Sequence, residues 1–365
     1  MPPPPMLAPR GHVGHPDVPA GGLAEGVTVR YVIIGAGAVG ATMGGRLAQS
    51  GREVVLVARG GHYEALRDRG LRLTTPDGEH VHRLPVVQAP AELGELRPDD
   101  VLVLGVKTQD CVAALDTWSV VPVAGGGTAG ERLPLLCAQN GVESERLALR
   151  RFRYVVGVCV WLPATHLAPG EVSAVCAPYS GMLHLGRYPV GAADMSGVLR
   201  SIASDLEGSH FLAPVVDDVM RWKYGKLLAN VGNAVEAVTG PMEPGNPLLD
   251  LAKEEAVRVY AAAGIDAVGE TEQKEARADH LVPRELPGLP RGGGSSWQSL
   301  TRGTGTIEAD YLNGEIVLLG RLHGVPVPAN ETLQRLADEF ARDRRAPGSL
   351  DAGDVLALVE KATTA

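Results

Sequence analysis

The stretch Val29-Arg30-Tyr31-Val32-Ile33-Ile34-Gly35-Ala36-Gly37-Ala38-Val39-Gly40 constrains this chain more than any other. A short, largely apolar run empties into three glycines spaced Gly35-x-Gly37-x-x-Gly40, and small residues fill 41–50 before Gly51. That order reads as a buried strand, a tight turn and a helix. Residues 53–58 form a second buried-type strand, which completes a βαβ unit of a parallel sheet covered on both faces. Each glycine has a mechanical reason. Gly35 permits the turn, Gly37 lets backbone approach a pyrophosphate, and Gly40 lets the helix lie close on the strand. The helix N-terminus then receives the phosphate charge. Gly35, Ala36, Gly37, Ala38, Val39 and Gly40 are the expected dinucleotide-binding segment.

The end of the second strand discriminates between cofactors. An NAD site places a carboxylate there, on the ribose 2′-hydroxyl. Here the strand ends Leu56-Val57-Ala58-Arg59-Gly60, with no acid. A guanidinium suits a 2′-phosphate through charge-assisted hydrogen bonds, so Arg59 points to NADPH.

Further strands read at 71–75 and 81–87 around the turn Pro76-Asp77-Gly78, and at 101–106, 133–138, 154–162, 172–176 and 181–186. Two of them end on polar residues: Val106 is followed by Lys107, and Gln139-Asn140-Gly141 follows 133–138. Ligands of open α/β sheets bind outside the carboxyl ends of strands, so Lys107 and Asn140 are expected beside the cofactor. Beyond about residue 212 helical periodicity takes over, at 215–233, 248–263, 306–323 and 331–345, with a Pro/Gly-rich loop over 283–294. The expected organisation is an N-terminal α/β Rossmann domain (27–212) and an all-α domain (213–346), followed by a C-terminal tail (347–365). A cleft between two domains is a usual ligand site.

Composition narrows the partners. A net charge of −9 without long basic runs argues against nucleic acid or an anionic membrane. No apolar stretch is long enough for a membrane span. Residues 1–26 are rich in Pro and Gly with no hydrophobic signal segment, so they read as a disordered extension of a cytoplasmic protein. Cys111, Cys137, Cys159 and Cys176 lack metal-ligand spacing and read as buried free thiols, so no metal is expected.

The chemistry concentrates in Trp222-Lys223-Tyr224-Gly225-Lys226-Leu227-Leu228-Ala229-Asn230-Val231-Gly232-Asn233. At about 100° per residue on one helix, Asn230 lies about 40° from Lys226 and Asn233 about 20° to the other side. The three polar groups would share one face. Lys223 falls at about 60°, one turn earlier, and could compete for the role. Asparagine is a poor interior helix former, so amides beside a lysine call for a function.

At this point the sequence resembles the ketopantoate reductase (2-dehydropantoate 2-reductase) family. The resemblance runs from about Val29 to Ala337. It is carried by the glycine fingerprint, Val106-Lys107-Thr108, Gln139-Asn140-Gly141, Ala164 with Pro169-Gly170-Glu171-Val172, Lys226-x-x-x-Asn230, Ser295-Ser296-x-Gln298 and Glu308-x-Asp310-Tyr311-x-Asn313-Gly314. It implies a Rossmann domain joined to a helical domain like that of 6-phosphogluconate dehydrogenase, and NADPH-dependent reduction of 2-dehydropantoate to (R)-pantoate in pantothenate biosynthesis. Lys226 corresponds to the catalytic lysine that protonates the reduced oxygen. Asn230, Ser296 and Glu308 correspond to substrate-binding residues, Asn140 to the asparagine at the cofactor–substrate junction, and Lys107 to the lysine near nicotinamide. The resemblance leaves room for a homodimer.

One departure bears on the substrate. The family's second asparagine is replaced by Ala234, and Asn233 comes one position early. Two alternatives stay open: the same chemistry on another branched or hydroxylated 2-oxo acid, and a non-catalytic dinucleotide sensor. A sensor would need only the glycines.

Overall fold

A computed structural model describes residues 29–192, 194–286 and 293–363; the expected N-terminal extension lies outside them. The Rossmann half is built on an eight-stranded sheet, whose strands are numbered here in chain order. They are β1 Arg30–Ile34, β2 Glu53–Val57, β3 Val86–Val87, β4 Asp100–Leu104, β5 Pro134–Cys137, β6 Tyr154–Trp161, β7 Gly181–Tyr188 and β8 Phe211–Leu212. Their spatial order is β3-β2-β1-β4-β5-β6-β7-β8. β1 pairs in parallel with both β2 and β4, and the order reverses between β1 and β4. β7 is antiparallel to β6.

The apolar continuity of β1 has its cause in burial on both faces. Tyr31 and Ile33 pack with Met43 and Leu47 of the helix Ala38–Gln49 and with Ile202 and Leu206 of Ser196–Glu207. Val32 and Ile34 face the other way, onto Leu115 and Trp118 of Cys111–Ser119. Alternate side chains of one strand thus enter two separate cores. At the amino edge, Arg30 and Asp100 stand opposite in register. They form a buried two-bond ion pair at 2.7 and 2.6 Å.

Several elements depart from expectation. The strand expected over 81–87 is two pieces. Gly78–His82 closes a hairpin on Leu71–Thr75 in a second, four-stranded sheet, while Val86–Val87 joins the edge of the main sheet. Pro85 stands between them and has no N–H for a ladder. The helix expected over 215–233 is also two, Val219–Asn230 and Gly232–Thr239. Asp218 caps the first by accepting from Met220 N. At Gly232 an added Cβ would sit 2.9 Å from Leu249, so the neighbouring helix comes close there. The expected tail contains a helix, Ala352–Thr363, whose Val355 and Val359 are buried on the helical domain's core. Four residues apart, they share one face. The helix Ser196–Glu207 was not foreseen.

The sheet's carboxyl edge faces the helical domain, and the amino edge is held by Arg30 and Asp100. Asp100→Ala should leave a buried, uncompensated guanidinium and cost about 3–5 kcal/mol of stability. Chemical denaturation followed by circular dichroism measures this. A midpoint equal to wild type would show that the pair is dispensable.

Candidate active site

The glycine turn fits its expected mechanics. Gly35 has φ +101°, and a Cβ on it would meet Val106 N at 2.6 Å, so β1 can end against β4 only through glycine. A Cβ on Gly40 would lie 2.2 Å from Gly35 O. Gly37 meets nothing within 4 Å, leaving its backbone open on the ligand side. Next to the turn, Arg59 is the exposed residue preceding the helix Gly60–Arg69, and its guanidinium pairs with no described residue. Sequence reasoning missed His62. Gly170 N–H donates to its Nδ1 at 2.9 Å, so the proton sits on Nε2, which faces Ala36 O at 2.6 Å. Burial pulls its pKa down and favours this neutral form.

The ends of β4 and β5 carry the next groups. The backbone N–H and hydroxyl of Thr108 donate to Glu308 Oε1 at 3.1 and 3.2 Å. Lys107 Nζ lies 4.0 Å from Glu308 Oε2 and hydrogen-bonds Ser299. Burial lowers the Lys107 pKa, and Glu308 opposes that. Glu308, expected inside a helix, instead occupies the turn before Ala309–Tyr311. Gly141, with φ +74°, presses so close to Tyr311 O that a Cβ would stand 2.9 Å away. That close approach positions Asn140.

Lys226 donates to Asn140 Oδ1 at 2.5 Å. Its ammonium lies 5.4 Å from the Trp161 ring centroid, at the end of β6. Burial pulls its pKa down to about 8, with Lys223 and Arg277 adding to the shift and Cys159 and Glu308 opposing it. One turn further, Asn230 is buried and its Oδ1 has no partner among the described residues. Asn233, on the following helix, donates to Ser295 Oγ at 3.2 Å. Ser296 is buried in the helix Ser295–Thr301.

Lys223 is not a competitor. Its Nζ is buried in an ion pair with Glu145 and donates to Gln139 O at 3.3 Å. Angular position alone could not reveal this, because Glu145 lies 78 residues away in the chain. The domains are also joined by Gln298, whose amide donates to Ala164 O and accepts from His166 N. Arg302 donates to His166 O at 2.6 Å.

The fold, the glycine turn at the switch point and a cation buried in the cleft define an oxidoreductase of the nicotinamide-dinucleotide type. The family model described as ketopantoate reductase PanE/ApbA matches residues 31–189, and its C-terminal counterpart matches residues 218–341. The chain belongs to that family. A 2-dehydropantoate 2-reductase of Mesorhizobium japonicum is 28% identical over 348 residues, covering 87% of this chain and 99% of its own length. One from Pyrococcus abyssi is 25% identical, covering 83% and 94%. Among solved structures, a PanE/ApbA family ketopantoate reductase from Ralstonia eutropha superposes with a TM-score of 0.69. It is 25% identical and covers 87% of this chain and all of that one (100%). A D-mandelate dehydrogenase shares the fold at a TM-score of 0.70 and 22% identity, over 87% and 100%.

Lys223→Ala should strand the Glu145 carboxylate in the core and destabilise the protein by about 3–5 kcal/mol. The double replacement Lys223→Met with Glu145→Leu should recover most of that loss. Thermal melts of the two variants decide it: equal melting temperatures for single and double would sink the reading.

Proposed function

We propose that this protein reduces a 2-oxo acid to the 2-hydroxy acid with NADPH, and that 2-dehydropantoate, reduced to (R)-pantoate for pantothenate synthesis, is the substrate. The observation that carries the reading is the Lys226 ammonium, held on Asn140 at the same sheet edge as the glycine turn.

The residues fit such a cofactor. Gly35 to Gly40 offer an open backbone at a helix N-terminus, and Gly37 leaves the space a pyrophosphate needs. Arg59 brings to the end of β2 a guanidinium that pairs with no described residue, and Lys107 and Asn140 line the ends of β4 and β5. NADPH, when bound, supplies the hydride. Lys226 donates its proton to the carbonyl oxygen as negative charge gathers there, and draws a replacement from solvent afterwards. Asn140 orients that ammonium. Asn230 presents an unmatched acceptor for a substrate hydroxyl, Ser296 bounds the pocket, and Glu308 keeps Lys107 in place.

The same chemistry on another 2-oxo acid is favoured by one observation. The Asn233 amide is spent on Ser295, and Ala234 is buried and apolar, so the substrate grip falls to Asn230, at the end of the preceding helix. Turnover with 2-dehydropantoate against a panel of branched and hydroxylated 2-oxo acids separates the two readings. No turnover of any of them would refute both.

Lys226→Ala should lower kcat by at least about 100-fold while NADPH binding, followed by fluorescence titration, stays nearly intact. A general acid must start protonated, so activity should fall as pH rises through about 8, where Lys226 loses its proton. A flat wild-type profile between pH 7 and 9.5 would contradict this. Arg59→Ala should raise the NADPH KM by tenfold or more, the loss of a contact worth roughly 1.5–3 kcal/mol. NADH kinetics should change little; equal effects on both cofactors would reject Arg59 as the phosphate contact.

A further inference from the structure

Among the described residues, three of the polar groups near Lys226 are buried without a hydrogen-bond partner. They are Asn230 Oδ1, Trp161 Nε1 and Arg277 Nη1. Leaving such atoms unmatched is costly, so a cluster of them beside a reactive ammonium describes the complement of a ligand. The first is an acceptor and the other two are donors, one of them charged.

Arg277 is the group not yet accounted for. It ends the helix Glu270–Arg277, and its guanidinium lies 3.7 Å from the Trp161 ring centroid. The Lys226 ammonium approaches that same ring. Directly after Arg277 the backbone turns through Ala278 at φ +27°. The chain then pairs Leu281–Pro283 with Cys176–Pro178 of the Rossmann half, so the helix end is anchored on both sides. Among the described residues no carboxylate forms an ion pair with Arg277. The acid acting on it at longer range, Glu270, is already bound to Lys274 at 2.8 Å. Burial accordingly weakens its hold on the proton. The other groups it faces, the Cys159 thiol and the His184 imidazole, are buried and lack negative charge: burial raises the thiol's pKa to about 11 and lowers the imidazole's to about 4.

We propose that Arg277, held over the Trp161 ring, binds the substrate's carboxylate and so makes this a site for acids rather than for neutral ketones. This rests on the reading of the cleft as the site of 2-oxo acid reduction. A carboxylate there would accept from the guanidinium and restore its missing counter-charge. The adjacent oxo group would then lie toward Lys226, with Asn230 Oδ1 left for a donor further along the ligand.

The test uses binding, so that it does not depend on turnover. Oxamate is an isostere of a 2-oxo acid that cannot be reduced, and ethyl oxamate is its uncharged ester. Calorimetric titration of each into the full-length protein with excess NADPH should show that wild type prefers oxamate. Arg277→Met, which keeps an apolar stem on Trp161, should weaken oxamate by roughly 10- to 100-fold and leave the ester nearly unchanged. Arg277→Lys should fall between. Unaltered oxamate binding in Arg277→Met overturns the assignment. So does equal weakening of acid and ester, which marks a merely structural role, or a wild type that binds neither. A wild type that binds oxamate through Arg277 yet reduces no 2-oxo acid would refute the reductase reading and leave this one standing.

Discussion

The buried ion pair between Lys223 and Glu145 decides where everything else in the cleft lies. Lys223 reaches Gln139 O as well as the carboxylate, and one helical turn later Lys226 reaches Asn140. Successive turns of one helix are thus pinned to successive residues at the end of β5. Slide the helix by a single residue, and both contacts fail, because its side chains rotate by about 100°. A buried ion pair is a poor source of net stability, since desolvation consumes most of the Coulombic gain. Its value here is register. Burial pushes the Glu145 carboxyl toward its neutral form and Lys223 pulls it back, so neither partner would be tolerated alone.

The same desolvation sets the chemistry. Lys226, Lys107, Arg277 and Arg302 all have their pKa values lowered, in each case chiefly by burial. Glu145 is committed to Lys223, and Glu308 is the carboxylate whose field reaches all three of Lys226, Lys107 and Arg302, with Asp110 also acting on Lys107. A cleft with more cations than anions attracts a negatively charged ligand. It also lowers the cost of giving up a proton, which suits the general-acid role proposed for Lys226. An exposed lysine would hold its proton too firmly for that.

What the sequence made legible follows from how local each constraint is. The glycine turn was readable because its demands lie within six residues: a φ of +101° at Gly35 and the Gly40 contact with Gly35 O belong to one turn. The parallel sheet was readable because burial on both faces leaves continuous apolar strands. Lys226 and Asn230 were readable as a pair by their helical spacing, and the roles proposed for them rest on family resemblance. The misreadings share the opposite property. Lys223 looked like a free rival because its partner is remote in sequence, and helical geometry carries no record of it. Arg277 and His62 gave no local signal, since Trp161 and Gly170 lie more than one hundred residues from them. Gly232, just after Val231, lies where Leu249 comes close, again a tertiary fact. The terminal helix, Ala352–Thr363, fell inside the segment read as a tail.

One remaining network ties the cofactor turn to the helical domain. His62 Nε2 holds Ala36 O, its Nδ1 accepts from Gly170 N–H, and its ring lies 4.3 Å from that of His166. The backbone of His166 in turn contacts Gln298 and Arg302, on or just beyond the helix that carries Ser296. The arrangement works only while His62 is neutral, because a protonated Nδ1 could not accept from Gly170. Burial supplies that condition, lowering the pKa of His62 and taking that of His166 to about 4. Two adjacent imidazolium rings beside Arg302 would repel one another and the guanidinium alike. An uncharged pair lets the glycine turn and the serine helix share one seam, while positive charge is kept for the side of the cleft proposed to bind an anion.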